Sequence, residues 1–232
     1  MTIILAVSMI PPLFLLWRVY QNDTIEKEPF GLLLTIFLFG MFSTLPAGFL
    51  ETFGQIIVSR IIDPIENFRL YNLLFYFIVV GGAEELAKFF AMKLPTWNNP
   101  EFNYVFDGVV YGVTASLGFA ALENILYVLD SGLGVAGIRA WTAIPLHCIT
   151  GIFMGHYYGI ARSASLWGET GVKNSLLARS LLIPILIHGA YDFIATDGSE
   201  LLILGFLVYI VVLDLFAFRA LKRYSQQDIR MF

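Results

Sequence analysis

The sequence predicts an all-α membrane protein: a polytopic bundle of about seven transmembrane helices, or eight if the second apolar stretch divides. Three observations carry this expectation. Of the 232 residues, 58% are hydrophobic and 14% charged, with a mean hydropathy of +0.75, whereas a soluble domain carries roughly 25% charged residues. So little charge cannot cover a water-soluble globule, and lipid must be the solvent for most of the surface. The apolar residues also gather in runs of the roughly 20 residues that a spanning helix needs. Finally, the connections between runs are short, roughly a dozen residues at most, so 1–232 reads as a single integral membrane domain with no room for a soluble one.

Seven runs meet the length requirement, near 3–20, 30–58, 70–92, 104–129, 139–161, 175–196 and 200–219. The first has no positive n-region and no small-residue cleavage site, so it reads as a retained span rather than a secretory signal. The second is too long for one perpendicular crossing. Pro46 and Gly48 lie in its middle, so it kinks, tilts or splits there. Chain breakers mark the turns: Asp63-Pro64, Asn98-Asn99-Pro100, Ser131-Gly132 and Asp197-Gly198-Ser199. With seven spans and a cytoplasmic C-terminus, Arg18, Lys27, Lys93, Arg162, Lys173, Arg179, Arg219, Lys222, Arg223 and Arg230 fall inside. Arg60, Arg69 and Arg139 fall outside, and Lys88 lies within the membrane. Ten against three obeys the positive-inside bias and puts the N-terminus outside.

The net charge of -4 is small and says little about partners, and no basic run or aromatic-basic face suggests nucleic acid. A single cysteine, Cys148, excludes an intrachain disulfide.

Ionisable groups in mid-membrane cost roughly 2.5–3.5 kcal/mol each and are rare unless they work. This chain holds a set of them. The third run carries Glu84, Glu85 and Lys88, the fourth Glu123, the fifth His147, and the sixth His188 and Asp192. Such groups must face one another or a wet cavity. Glu84 and Lys88, four apart, share a helix face and can pair. Glu85, about 100° round the helix, can look toward a neighbour. Asp192, four residues after His188, can orient its imidazole. Gly108, Gly112, Ala115, Ser116 and Gly118 let the fourth helix approach its neighbours closely. The assumed spans place the set in the middle-to-outer half of the bilayer.

Hydrolysis inside a membrane needs water, a group to activate it and a donor for the oxyanion. No H-E-x-x-H zinc motif and no G-x-S-G serine motif occurs. Tyr191-Asp192 matches one half of a presenilin-type aspartyl pair, but the Gly-x-Gly-Asp half is missing. Cys148 and His147 are adjacent on a helix and do not face each other. A glutamate–histidine site remains, with Glu84 or Glu85 activating water and His188, backed by Asp192, serving the oxyanion or the leaving amine. Zinc is the competing account: His147, His188 and Glu84 or Glu85 would supply three ligands and leave a fourth position for water. The residues leave this choice open.

The ordered set Glu84-Glu85-x-x-Lys88, Phe119-x-x-x-Glu123 and His188-x-x-x-Asp192 resembles the PrsW family of intramembrane proteases, a branch of the CAAX-protease and bacteriocin-processing superfamily. Further matching stretches are Asp107-Gly108-x-x-Tyr111-Gly112, Gly118-Phe119-Ala120-x-x-Glu123-Asn124-Ile125-Leu126-Tyr127, Arg139 leading to His147, and Glu26-Lys27-Glu28-Pro29. The similarity covers roughly residues 20–195. Type II CAAX endopeptidases have a histidine where this chain has Glu123, which speaks against a prenylated substrate. The resemblance implies a bacterial plasma-membrane enzyme that makes the site-1 cut in a single-pass anti-sigma factor. That cut begins the release of an extracytoplasmic-function sigma factor, and a site-2 protease acts next.

Other readings attach to some residues. Glu84, Glu85 and Lys88 also suit a structural ion-pair network, and His147 a hydrogen-bonded core histidine. Asp107 suits a helix-start role, His156 an interfacial one, and Arg139 either snorkelling to headgroups or pairing with Glu123. Glu51 and Asp214 have no motif around them and stay unassigned. A proton-coupled transporter would also bury carboxylates and histidines, but it should show internal repeats and paired broken helices, and neither is seen. A non-catalytic membrane scaffold or sensor would not need the full acid–base set.

Overall fold

The computed structural model describes residues 2–197 and 200–232, and among these it is helical throughout, with no strand. Helices α1 (Thr2–Tyr20) and α2 (Phe30–Ile61) are followed by α3 (Phe68–Leu74), a π-helical stretch (Phe75–Val80) and α4 (Gly81–Thr96) in one unbroken rod. Then come α5 (Asp107–Ser131), α6 (Leu133–Trp141), α7 (Ala143–Leu166), α8 (Thr170–Asp197) and α9 (Glu200–Gln226). Within α1, α2, α5, α8 and α9, five stretches are long and apolar enough to cross a membrane. The expected Asp197-Gly198-Ser199 break falls between α8 and α9, and its Gly198 and Ser199 lie outside the described residues.

Two expectations about the spans change. The second run does not split: α2 is one helix of 32 residues through Pro46. At 1.5 Å per residue it is roughly 48 Å long, so it overshoots a hydrocarbon core of roughly 30 Å. The fifth run, expected as one helix over 139–161, is broken between α6 and α7, where Thr142 leaves helical geometry. Arg139 therefore sits on a separate short helix, and His147 falls in the second turn of α7 rather than deep in a long one. The Ser131-Gly132 turn forms as expected, with Gly132 at φ +85°, a conformation that costs glycine least.

Helix α5 is the central post, packed against α1, α2, α4 and α7. Its small residues do what their size allows. A β-carbon on Gly112 would lie 2.4 Å from the Gly151 carbonyl oxygen, and one on Gly155 would lie 2.0 Å from that of Gly108. The α5–α7 contact therefore runs backbone against backbone, the way small residues pack helices where lipid gives no hydrophobic drive. Val109, Val113 and Leu117 fill the space beside it with Ile144, Cys148 and Ile152.

Hydrogen bonds tie the loops of one end together. Ser225 donates to the Asn22 carbonyl, Asp228 accepts from the Phe106 N–H, and the Met231 N–H reaches the Asn103 carbonyl. Glu28 is buried here and accepts a 2.6 Å bond from the Tyr111 hydroxyl. Asp107, the first residue of α5, accepts the N–H groups of Asn103 and Tyr104 in the loop before it.

Candidate active site

Toward the opposite end, α4, α5, α7 and α8 converge and bring together the seven ionisable residues singled out above. Lys88 is at the centre. Its buried ammonium donates to Glu84 Oε2 at 2.9 Å, to Glu85 Oε1 at 2.8 Å and to His147 Nδ1 at 2.9 Å, which uses its three protons. The Phe119 ring lies 4.3 Å beneath it. Neutralised from three sides, a charge that lipid would reject becomes tolerable.

The two histidines play different parts. His147 accepts from Lys88 at Nδ1, so its proton is on Nε2, which donates to Glu123 Oε2 at 3.0 Å. Both of its ring nitrogens are thus engaged. His188 reaches Glu85 Oε1 through Nδ1 at 2.7 Å, while its Nε2 lies 3.4 Å from Asp192 Oδ2 and 3.7 Å from Glu84 Oε2. The carboxylate that orients His188 is therefore Glu85, with Asp192 farther off on the other side. The sequence spacing pointed to Asp192 alone.

Two glycines set this meeting. A β-carbon on Gly189 would lie 2.7 Å from the Phe77 ring, and one on Gly81 would lie 3.2 Å from the Ile185 carbonyl oxygen. The π-helical turns that carry Phe77 come immediately before Glu84 and Glu85, and such segments often mark functional sites. Arg139 resolves in favour of pairing: it donates to Glu123 Oε2 at 2.5 Å and to Asn124 Oδ1 at 3.2 Å, with the Tyr127 ring 4.1 Å away. The stretch from Phe119 to Tyr127 is thus a cradle for two cations, Lys88 and Arg139.

These groups line a cavity of about 470 Å³. Glu84, Glu123, His147, His188 and Asp192 face it, and Glu85 does not. Glu51 and Thr44, neither of them assigned from the sequence, also line it from α2. The signal for Glu51 was present as an acid in mid-span, but no motif pointed to a partner.

Glu84, Glu85, His147 and His188 offer ligand atoms that lie within 4.8 Å of one another. Two histidines and two glutamates are zinc-type donors, and Glu85 Oε2 is buried without a partner. By donor type the residues fit a zinc ion. Lys88 already engages Glu84, Glu85 and His147, so these residues would have to release the ammonium to hold the ion.

A profile of the family described as PrsW family intramembrane metalloprotease matches residues 28–218. The chain belongs to the PrsW family. Relatives named Protease PrsW include one from Bacillus subtilis (strain 168), 33% identical over 89% of this chain and 90% of its own. Another, from Oceanobacillus iheyensis, is 32% identical over 97% and 98%, and one from Clostridioides difficile is 28% identical over 97% and 92%. No solved structure matches the chain. As a PrsW family member it is an intramembrane peptidase and a multi-pass membrane protein.

Proposed function

We propose that this PrsW family protease makes the site-1 cut in a single-pass membrane anti-sigma factor at the extracytoplasmic side of the bacterial plasma membrane, after which a site-2 protease acts on the product. The observation that supports a hydrolytic site most directly is that Glu84 and His188 line one cavity while Glu85, which does not line it, is bonded to His188 Nδ1.

In this reading Glu84 is the water-activating base. Lys88 holds its Oε2, and Oε1 has no protein partner among the described residues, which leaves it for a water in the cavity. Glu85 fixes His188 through Nδ1, so Nε2 is the nitrogen free to donate to the oxyanion and then to the departing amine. Glu123, His147 and Arg139 form a second chain behind Lys88 and keep the ammonium in place. A zinc ion held by His147, His188 and Glu84 or Glu85 would lower the pKa of a bound water and polarise the scissile carbonyl.

Seven spans with the N-terminus outside agree with the Lys and Arg bias. They also agree with the hydrogen-bonded end formed by residues 22, 103, 106, 225, 228 and 231, which becomes the cytoplasmic end. The cavity then lies toward the extracytoplasmic face. The test is co-expression with a doubly tagged single-pass anti-sigma factor from the same genome, followed by blotting. Wild type should release fragments, and Glu84→Gln, Glu85→Gln and His188→Ala should not, at matched membrane levels. Cleavage that survives all three substitutions refutes the assigned chemistry; an intact substrate with wild type refutes the substrate.

A further inference from the structure

We propose that the face of α2 formed by Thr44, Gly48 and Glu51 is the subsite that receives the unwound backbone of the substrate span. The proposal rests on the proteolytic reading above and adds where the substrate lies. The three residues are spaced i, i+4 and i+7, so they share one helix face, and all three line the same cavity as Glu84 and His188.

Helix α2 packs closely on either side of this face, and on the face itself Ala47 is buried while Gly48 is exposed. Before it, a β-carbon on Gly40 would lie 2.1 Å from the Ala115 carbonyl oxygen; after it, one on Gly54 would lie 2.5 Å from Val79. Between these contacts, a β-carbon on Gly48 would meet nothing within 4 Å. Gly48 both lines the cavity and is exposed, so the cavity opens beside it, where Leu45 and Phe49 are exposed and face lipid.

The polar atoms on this face lack partners. Thr44 Oγ1 is buried with no hydrogen bond, and Glu51 makes none among the described residues. A peptide bond within a helix is shielded, so a spanning substrate must unwind locally before water can reach it. Unwinding frees backbone N–H groups, and each costs several kcal/mol in lipid unless an acceptor meets it. The Thr44 hydroxyl and the Glu51 carboxylate are such acceptors, in the wall of the cavity that Glu84 and His188 also line. Gly48 leaves the space that an extended backbone needs.

The experiment has two arms, both using the tagged anti-sigma factor as the probe. In the first, cleavage kinetics are compared for wild type, Thr44→Val, Glu51→Gln and Gly48→Leu. Loss of one hydrogen bond should raise KM roughly threefold to tenfold with kcat little changed. Gly48→Leu adds a side chain to open space, so the enzyme should fold and yet stop cutting. In the second arm, Gly48→Cys is combined with Glu84→Gln, and cysteines are scanned along the probe's span; Cys148 is buried and does not compete. Disulfide cross-links at 48, and none at a Gly205→Cys control on α9, support the subsite, and they support it even where wild type proves not to cleave. Full cleavage by Gly48→Leu, or cross-links at 205 without any at 48, overturns the subsite and leaves proteolysis standing.

Discussion

Replacing Lys88 by Met should both destabilise the protein and open its core to a metal ion. The ammonium lies 2.9 Å from Glu84 Oε2 and 2.8 Å from Glu85 Oε1. At an effective dielectric of about 20, each contact is worth roughly 6 kcal/mol of gross attraction, most of it offset by the cost of burying three charges. Removing one partner still leaves two carboxylates close together without a cation, and breaking a buried pair in this way costs about 3–5 kcal/mol. For a chain of this size that corresponds to a drop in Tm of roughly 6–20 °C, read by thermal unfolding in detergent. The double variant Lys88→Met/Glu84→Gln should recover part of the loss, because it removes one uncompensated charge. The same substitution frees the donors of Glu84, Glu85 and His147. Added zinc should therefore raise the Tm of Lys88→Met more than that of wild type, with bound metal measured by mass spectrometry. A Tm within 2 °C of wild type, or wild type that already carries one equivalent of zinc, would refute the reasoning that places Lys88 at the centre.

Two further perturbations address parts of the fold that serve the site. Gly189→Ala puts a methyl 2.7 Å from the Phe77 ring, which should cost about 1–3 kcal/mol and shift α8 enough to lengthen the His188–Glu85 bond. Cleavage should fall about 10–100-fold while expression holds, and unchanged turnover would show that the Gly189 contact does not position His188. At the other end, burial pushes the Glu28 carboxyl up to about 7 and that of Asp23 up to about 6. Both groups bind a proton more tightly folded than unfolded, so wild-type stability should fall as pH rises from about 4.5 to 7. Tyr111, Asp107, Asp23 and Glu101 surround Glu28. In Glu28→Gln melts between pH 5 and 8 should show a shallower slope, and an equal slope would place the titration elsewhere.

The sequence by itself determined that the chain is a helical membrane protein, and it singled out Glu84, Glu85, Lys88, Glu123, His147, His188 and Asp192. The physical reason is the penalty for charge in lipid, which makes every ionisable group in an apolar run conspicuous. The glycines of α5 were legible for a related reason, since close packing must replace hydrophobic drive there. What only the tertiary structure decided is which group meets which. Helical spacing orders residues within one helix, but the rotation of α8 about its axis is set by the Gly189–Phe77 and Gly81–Ile185 contacts. That rotation gives His188 to Glu85 and leaves Asp192 farther away. The break at Thr142, which carries Arg139 over to Glu123 and Asn124, is marked in the sequence only by Pro145 in the first turn of α7, whose ring is incompatible with a helix running on through Trp141. Glu51 was visible as an acid in an apolar helix, yet only packing shows it facing the same cavity as Glu84, because that depends on where α2 parts from α5, and no local pattern in its own helix records this.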